Sequence, residues 1–178
     1  MPIVSSNLSP PAKRRLVKEF EMTNNEKDQG LSAEFVKTPE GSELLDQWDI
    51  YIDGQPGTLY EGYRLHAKMT FPSQYPYEPP SFVFISNIFH PNVYDDGKVC
   101  ISILQTDQDE IIDNEIANCT WTPGLNVRTV CISIISLLNE PNIFSPANID
   151  ASNLFRDEKE KYEKKVREQL EKSCKRVK

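Results

Sequence analysis

The chain has 178 residues, of which 38% are hydrophobic and 26% charged, and this length suits one domain with a core of its own. Twenty Lys and Arg stand against 27 Asp and Glu, so the formal net charge is −7. This balance argues against a nucleic-acid-binding protein, which needs a basic face for the phosphate groups. We therefore predict a single domain over residues 1–178.

The first predicted helix begins at Ser9, because serine caps helices and the two prolines that follow are tolerated in a first turn. Leu16 and Phe20 then lie on one apolar stripe. A basic flank accompanies this stripe and consists of Lys13, Arg14, Arg15 and Lys18. From these residues alone, we expect the flank to be a solvated helix face.

Residues 31–85 alternate between apolar and polar positions, which is the period of half-buried strands. The clearest run is 63–71, in which every second residue is apolar. Turn signals separate the runs, among them Pro39-Glu40-Gly41 and Asp53-Gly54. The pattern predicts an antiparallel meander of three or four strands with one face covered.

Helical patterns follow the strands. An apolar helix is predicted from Val127 onward and is ended by Pro141, and a short helix is expected near residues 150–155. In the terminal amphipathic helix, apolar side chains recur every four residues up to Cys174, which is expected to pack. The order of helix, strands and helices indicates an α+β fold.

The chain has four cysteines, Cys100, Cys119, Cys131 and Cys174. Their spacing is too wide for the usual zinc motifs, and a chain of this size does not need disulfides for stability, so we expect neither a zinc site nor a disulfide framework. The N-terminal segment has no apolar core ahead of its charges, so it does not resemble a signal peptide. No apolar run is long enough to span a bilayer. We expect a soluble protein of a reducing compartment, the cytoplasm or the nucleus.

Residues 86–126 follow no regular period, and so long an irregular segment in a compact domain points to function or disorder. The segment contains His90, Asn92 and Cys100. Between Lys98 and Arg128 it has no basic side chain but five acids, namely Asp107, Asp109, Glu110, Asp113 and Glu115.

Cys100 is the candidate nucleophile, and thiol nucleophiles form acyl intermediates. A hydrolase would need a base for the thiol, and the chain has only two histidines. His66 is out of phase with the apolar positions of its strand, so it is expected at the surface, and His90 is expected to brace its loop through hydrogen bonds. Without a convincing Cys-His pair, the thiol suits a carrier of an already activated acyl group better than a protease.

The chain closely resembles ubiquitin-conjugating enzymes in two segments, HPNVYDDGKVCISIL at residues 90–104 and WTPGLNVRTVCISIISLLNEPNIFSPANIDAS at residues 121–152. The proline-rich segment FPSQYPYEPPSFVF at residues 71–84 is similar to the same family. The resemblance covers about residues 10–175. It implies an N-terminal helix, a four-stranded antiparallel meander and C-terminal helices behind it, which agrees with the α+β fold predicted above.

The resemblance implies the roles of three residues near the nucleophile. Cys100 matches the thiol that carries the C-terminal carboxyl of ubiquitin as a thioester. Asn92 matches the Asn of the His-Pro-Asn motif, whose amide either donates to the oxyanion formed by an attacking lysine or holds the loop. His90 matches the structural part of that motif.

The resemblance also implies partner-binding residues. Tyr77 fits the aromatic residue with which family members meet ligase domains. The second ligase-contacting loop is matched by Thr122, Pro123 and Gly124. Lys13 and Arg14 match basic first-helix residues that meet the activating enzyme, so for these two the resemblance favours a binding role over a solvated face.

Two departures from the commonest family pattern stand out. Cys100 and Trp121 are 21 positions apart, because an acidic insertion occupies about residues 105–119. Ser145 stands where many members have an Asp beside the active site. Both features are similar to the acidic-loop branch, which includes the cell-cycle and endoplasmic-reticulum-degradation conjugating enzymes and is associated with degradative polyubiquitin chains and RING ligases.

The acidic insertion also suggests how a lysine side chain is brought to the thioester. Asp113 and Glu115 are the acids most expected to attract a lysine ammonium and later to help remove its proton. The alternative is a mobile, solvated acidic loop without a role in transfer.

The implied partners are ubiquitin, the ubiquitin-activating enzyme, a RING-type ligase and protein substrates, with neither nucleic acid nor membrane insertion. The resemblance implies no metal and no organic cofactor, because ATP is consumed by the activating enzyme. Three alternatives remain: conjugation of a ubiquitin-like modifier, a non-catalytic binding module of the same fold, and a cysteine hydrolase. The missing base argues against the hydrolase, and the intact Cys100 and Asn92 argue against the binding module.

Overall fold

A computed structural model describes residues 3–4, 7–25, 30–106 and 120–177. The helices in these ranges are α1 (Pro10–Asn25), α2 (Val127–Asn139), α3 (Ile149–Asp157) and α4 (Lys159–Ser173). The main strands are β2 (Leu31–Lys37), β3 (Glu43–Asp53), β4 (Tyr63–Thr70) and β5 (Ser81–Phe84). This order confirms the predicted α+β fold.

Local sequence signals determine where α1 and α2 begin. The hydroxyl oxygen of Ser9 accepts a hydrogen bond from the Ala12 N–H at 3.3 Å and so caps α1, as predicted. The side chain of Asn126 caps α2 by accepting from the Thr129 N–H at 3.0 Å. Helix α2 ends at Asn139, just before the predicted proline stop.

Strands β2 to β5 pair consecutively and antiparallel, so the predicted meander of four strands is correct. The alternation predicted for residues 63–71 is reproduced in β4, where Tyr63, Leu65, Ala67 and Met69 are buried. Their side chains face the core, to which α1 contributes Leu16. This packing places the helices on the covered side of the sheet.

The helices behind the sheet bury the residues that the apolar pattern marked. The buried face of α2 consists of Val127, Val130, Cys131, Ile134 and Leu138. In α4, Tyr162, Val166 and Leu170 are buried, and Cys174 packs half-buried against the core after the helix ends. Among the helices in the described ranges, none is both long and apolar enough to cross a membrane.

Two short strands extend the meander beyond the prediction. Strand β1 (Ile3–Val4) pairs in parallel with the start of β3, and β6 (Lys175–Arg176) pairs antiparallel with the start of β4. A strand of two residues is too short to show an alternating pattern, so a periodicity argument does not detect it.

His66 lies on the outer face of the sheet, as expected. Its Nε2 is 2.7 Å from Asp49 Oδ1 on the neighbouring strand, and its ring stacks on Tyr51 with the centroids 4.9 Å apart. These contacts commit His66 to cross-strand packing.

Candidate active site

A tight turn presents Cys100. The Gly97 N–H donates to the Tyr94 carbonyl at 2.9 Å, and Gly97 has a φ of 86°. A Cβ at this glycine would lie 2.2 Å from the Phe84 carbonyl oxygen, so only glycine fits the turn. The Cys100 N–H then donates to the Asn92 carbonyl at 2.9 Å, which places the half-buried thiol beside the His-Pro-Asn motif.

His90 is fully buried and braces this motif from behind. Its Nδ1 accepts a hydrogen bond from the Asn92 N–H at 3.0 Å, so Nε2 carries the ring proton and donates to the Leu137 carbonyl at 3.0 Å. Both ring nitrogens are therefore used within the scaffold, which is the bracing arrangement expected from the sequence.

The buried imidazole makes stability depend on pH. Burial lowers the pKa of His90 to about 4, although its backbone hydrogen bonds act in the opposite direction. The histidine of an unfolded chain has a pKa near about 6.5, so the unfolded state binds more protons between these two values. The free energy of unfolding contributed by His90 is therefore complete above about pH 6.5 and is lost as the pH falls toward 4.

We expect wild-type protein to lose about 2–3 kcal/mol more unfolding free energy between pH 7 and pH 4.5 than His90→Gln does, measured by urea denaturation. Asn153→Gln, at an exposed position of α3 without a titratable group, is the control and should retain the wild-type loss. Equal losses in wild type and His90→Gln would show that the imidazole is not held neutral.

Asn92 joins the motif to the segment that follows α2. Its side chain is 2% exposed, its Nδ2 donates to the Asn142 carbonyl at 2.8 Å, and its Oδ1 accepts from the Asn142 N–H at 2.8 Å. This reciprocal pair joins the motif to that segment, and it is the kind of contact that the loop-holding role needs. Among the described residues the pair uses one of the two amide hydrogens of Asn92, so the other is a candidate donor for an oxyanion.

Ser145 lies exposed in the segment after α2. Farther along this segment, the Ala147 and Asn148 N–H groups donate to the Pro91 carbonyl at 2.8 and 2.9 Å. Together with the Asn142 contacts, these bonds fasten the segment to the His-Pro-Asn motif on both sides of Ser145. The structure thus places Ser145 in a stretch that borders the motif.

Two residues near the thiol were missed by the sequence argument. The Nε2 of Gln105 lies 4.0 Å from the sulfur of Cys100. The negative charge that Cys100 carries as a thiolate, and then the hydrogen bond that the Tyr94 hydroxyl donates to its sulfur, raise the pKa of the exposed Tyr94. An aromatic residue two positions after the motif was the available signal for Tyr94.

The acidic insertion lies almost wholly outside the described residues. Asp113 and Glu115 fall there, as do the other three acids of the run, Asp107, Asp109 and Glu110. Gln105 at its start and Trp121 after it are described, and the Trp121 N–H donates to the Gln105 carbonyl at 2.9 Å. Because Gln105 also reaches toward Cys100, this hydrogen bond joins the two described residues close to the thiol.

The residues predicted to meet a ligase lie on two neighbouring segments. Tyr77 is 77% exposed, and Thr122, Pro123 and Gly124 are exposed on the second segment. The indole N–H of Trp121 donates to the Pro76 carbonyl at 2.8 Å and joins the two segments directly. They therefore form one continuous surface.

The basic flank of α1 is only partly solvated. Arg14 is exposed and Lys13 half-buried, which agrees with a surface role. Arg15 departs from the expected solvated face, because its Nη1 donates to the Pro123 carbonyl at 2.6 Å and its Nε to Glu19 Oε1 at 2.6 Å. A buried acid one turn later needs a countercharge, and Arg15 supplies it.

Two of the other cysteines are explained by packing. Burial raises the pKa of Cys131 to about 12, and Cys174 packs beyond the end of α4. The fourth, Cys119, lies outside the described residues. Within the described ranges, no group of three or more His, Cys, Asp and Glu side chains is placed to hold a metal ion.

Comparisons with a family model and with known proteins all point to the same family. A family model described as ubiquitin-conjugating enzyme matches residues 15–170. A ubiquitin-conjugating enzyme E2 of African swine fever virus is 42% identical over 146 residues, which cover 79% of this chain and 65% of the relative. A probable ubiquitin-conjugating enzyme E2 of Encephalitozoon cuniculi is 50% identical over 121 residues, covering 67% of this chain and 56% of the relative.

A third relative is matched over most of its length. Ubiquitin-conjugating enzyme E2 2 of Debaryomyces hansenii is 39% identical over 166 residues, which cover 93% of this chain and 88% of the relative. The matches to the viral and Encephalitozoon proteins, in contrast, span less than two thirds of those relatives. From the family match and the fold together, the chain belongs to the ubiquitin-conjugating enzyme family.

Proposed function

We propose that the chain accepts ubiquitin as a thioester on Cys100 from the ubiquitin-activating enzyme and transfers it to lysine amines. The observation that supports this most is the placement of a half-buried thiol beside Asn92, whose side chain is buried and has one amide hydrogen with no acceptor among the described residues. In a member of this family, that pair supplies a nucleophile and an oxyanion donor.

The reaction consists of two acyl transfers. The Cys100 thiolate attacks the carbonyl carbon of the thioester on the activating enzyme, a new C–S bond forms, and the thiol of that enzyme leaves. A neutral lysine amine then attacks the same carbonyl, a C–N bond forms, and the Cys100 sulfur departs and is reprotonated. We propose no metal and no organic cofactor for either step, because the activating enzyme has already used ATP to activate the carboxyl group.

We propose that partners bind on two surfaces. Lys13 and Arg14 on α1 meet the activating enzyme, and the ligase meets Tyr77 together with Thr122, Pro123 and Gly124. The exposure of Arg14, Tyr77 and the second segment supports this assignment. We further propose a RING-type ligase, protein substrates and degradative polyubiquitin chains, in a reducing compartment, the cytoplasm or the nucleus.

The acidic insertion supports placement in the acidic-loop branch. Lysine has a reference pKa of about 10.4, so fewer than about one in a thousand side chains is neutral at pH 7. We propose that Asp113 and Glu115 attract the lysine ammonium toward Cys100 and help remove its proton, and that Ser145 borders the path of approach. The hydrogen bond between Gln105 and Trp121, and the approach of Gln105 to the sulfur of Cys100, support this proposal.

Neutralising the pair with Asp113→Asn and Glu115→Gln is expected to slow lysine discharge about tenfold at low salt, because the local concentration of cations falls. The measurement is single-turnover discharge of the thioester to free lysine, repeated at rising ionic strength, where the difference should shrink. Glu160→Gln with Glu168→Gln, two exposed acids of α4, is the matched control. Wild-type rates in the Asp113 and Glu115 variant would make the insertion a solvated loop.

The proposed function is tested by incubating the chain with activating enzyme, ATP and ubiquitin and separating the products on a non-reducing gel. We expect an adduct that thiols remove and that Cys100→Ala abolishes. An adduct with a ubiquitin-like modifier but none with ubiquitin would identify the first alternative. The activating enzyme must charge other family members in the same assay. If it does and this chain forms no adduct with any modifier, the remaining alternative is a non-catalytic binding module.

A further inference from the structure

Glu19 in α1 is the one acidic residue that is buried among the residues described, with 7% of its surface exposed. A buried carboxylate is costly unless each oxygen receives hydrogen bonds or a countercharge. The contacts of Glu19 therefore identify which parts of the molecule it holds together.

Glu19 receives hydrogen bonds from three separate segments. Its Oε1 accepts from Arg15 Nε at 2.6 Å and from the Tyr75 hydroxyl at 2.9 Å. Its Oε2 accepts from the Val127 N–H at 2.9 Å, at the positive end of α2. We call Glu19, Arg15, Tyr75 and the Val127 N–H the Glu19 cluster.

Arg15 extends the Glu19 cluster to the second ligase-contacting segment. Its Nη1 donates to the Pro123 carbonyl at 2.6 Å, and its Nη2 donates to the Leu125 carbonyl. These two carbonyls flank the exposed Gly124. The planar guanidinium thus grips the backbone of this segment at two points, a geometry that a single ammonium does not reproduce.

Tyr75 extends the cluster to the first ligase-contacting segment, two residues before Tyr77. Its ring is 2% exposed and lies under the guanidinium of Arg15, with 5.3 Å from its centroid to the Arg15 Cζ. Burial and the charge of Glu19 raise the pKa of Tyr75, so the phenol stays protonated and continues to donate. One carboxylate is therefore connected to both segments of the surface.

We propose that Glu19 and Arg15 are positioning residues that fix the two ligase-contacting segments relative to each other. This inference rests on the proposed function, in which these segments bind the ligase. In the preformed surface, the ligase does not have to order either segment on binding, so its affinity is higher. The proposed role of both residues is indirect. Arg15 acts through the backbone carbonyls that it holds, and Glu19 acts through the Tyr75 side chain.

The test uses Arg15→Lys, which keeps the charge but not the double contact. In the free chain, we expect the Gly124 and Leu125 amide resonances to shift. We expect the dissociation constant for a RING domain to rise about five- to tenfold, since two hydrogen bonds are lost. The probe is the tightest binder of wild-type protein from a panel of isolated RING and U-box domains. Discharge of the precharged thioester to free lysine without ligase should stay within about twofold of wild type.

Two controls and a second variant complete the experiment. Arg167→Lys, at an exposed position of α4, should change neither the resonances nor the affinity. Glu19→Gln should weaken RING binding in the same direction as Arg15→Lys, and thermal denaturation shows whether each variant remains folded. Tyr77→Ala tests the ligase surface itself.

The outcomes separate this inference from the proposed function. Suppose that Tyr77→Ala weakens RING binding, while folded Arg15→Lys keeps both the binding and the resonances of wild type. This result would overturn the positioning role and leave the ligase surface intact. Wild-type binding in Tyr77→Ala, or no binding of wild type to any domain of the panel, would overturn the ligase surface and this inference with it, while thioester formation on Cys100 would stand.

Discussion

Cys100→Ser is expected to form a ubiquitin adduct that survives thiols but is cleaved by hydroxide. The serine hydroxyl forms an oxyester in place of the thioester, and an oxyester carbonyl is less reactive toward amines. Transfer from this oxyester is therefore expected to be at least about 100-fold slower than transfer from the wild-type thioester. The measurement is single-turnover transfer to free lysine, followed on reducing and non-reducing gels.

Cys174→Ser is the matched control for this substitution, because Cys174 packs half-buried at the end of α4. It should form a thiol-sensitive adduct and discharge it at the wild-type rate. An adduct of Cys100→Ser that thiols still remove would show that a different cysteine carries the modifier.

Asn92→Ala is expected to reduce lysine discharge about 100-fold, the loss typical of one oxyanion donor. The cavity and the unpaired backbone groups of Asn142 should also lower the free energy of unfolding by about 1–3 kcal/mol. Charging by the activating enzyme should fall by less than about threefold if the amide acts mainly on the lysine step. Charging, discharge and urea denaturation are measured on the same preparation.

The Asn92 measurement distinguishes the two roles that the family resemblance leaves open. A loss confined to discharge supports the oxyanion donor. An equal loss in charging and discharge, together with a large drop in stability, would assign Asn92 to holding the loop alone. Asn87→Ala supplies the matched control, because among the described contacts only the backbone of Asn87 is seen to bond, to the hydroxyl of Ser173.

Much of the fold could be predicted because its signals are local. Alternating side chains in residues 63–71 predict β4, and a serine before two prolines predicts the start of α1. The apolar face of α2 and the proline after it likewise lie within one short segment. In each case the residues that form the element also carry the pattern.

The nucleophile was also accessible from the sequence, but its surroundings were not. Cys100 and Asn92 lie eight positions apart in one motif, whereas the partner of Asn92 is Asn142, 50 positions later. Only the folded chain brings these residues together. Gln105 is only five positions from Cys100, but its distance to the thiol depends on the turn between them, which a sequence pattern does not show.

Arg15 shows how a correct local pattern leads to a wrong placement. It belongs to a run of basic residues that resembles a solvated flank, and its carbonyl partners lie 108 and 110 positions away. The available signal was Glu19, a charged residue on the same helical stripe as the buried Leu16. A charge on a buried stripe requires a partner, and the residue one turn earlier is the nearest candidate.

The decisive measurement is the intact mass of the chain after incubation with activating enzyme, ATP and ubiquitin. Formation of a thioester on Cys100 predicts a gain equal to ubiquitin minus one water, complete reversal by a thiol, and no gain in Cys100→Ala. A gain that persists in Cys100→Ala, or wild-type protein that gains no mass while another family member is charged in the same mixture, would contradict the account.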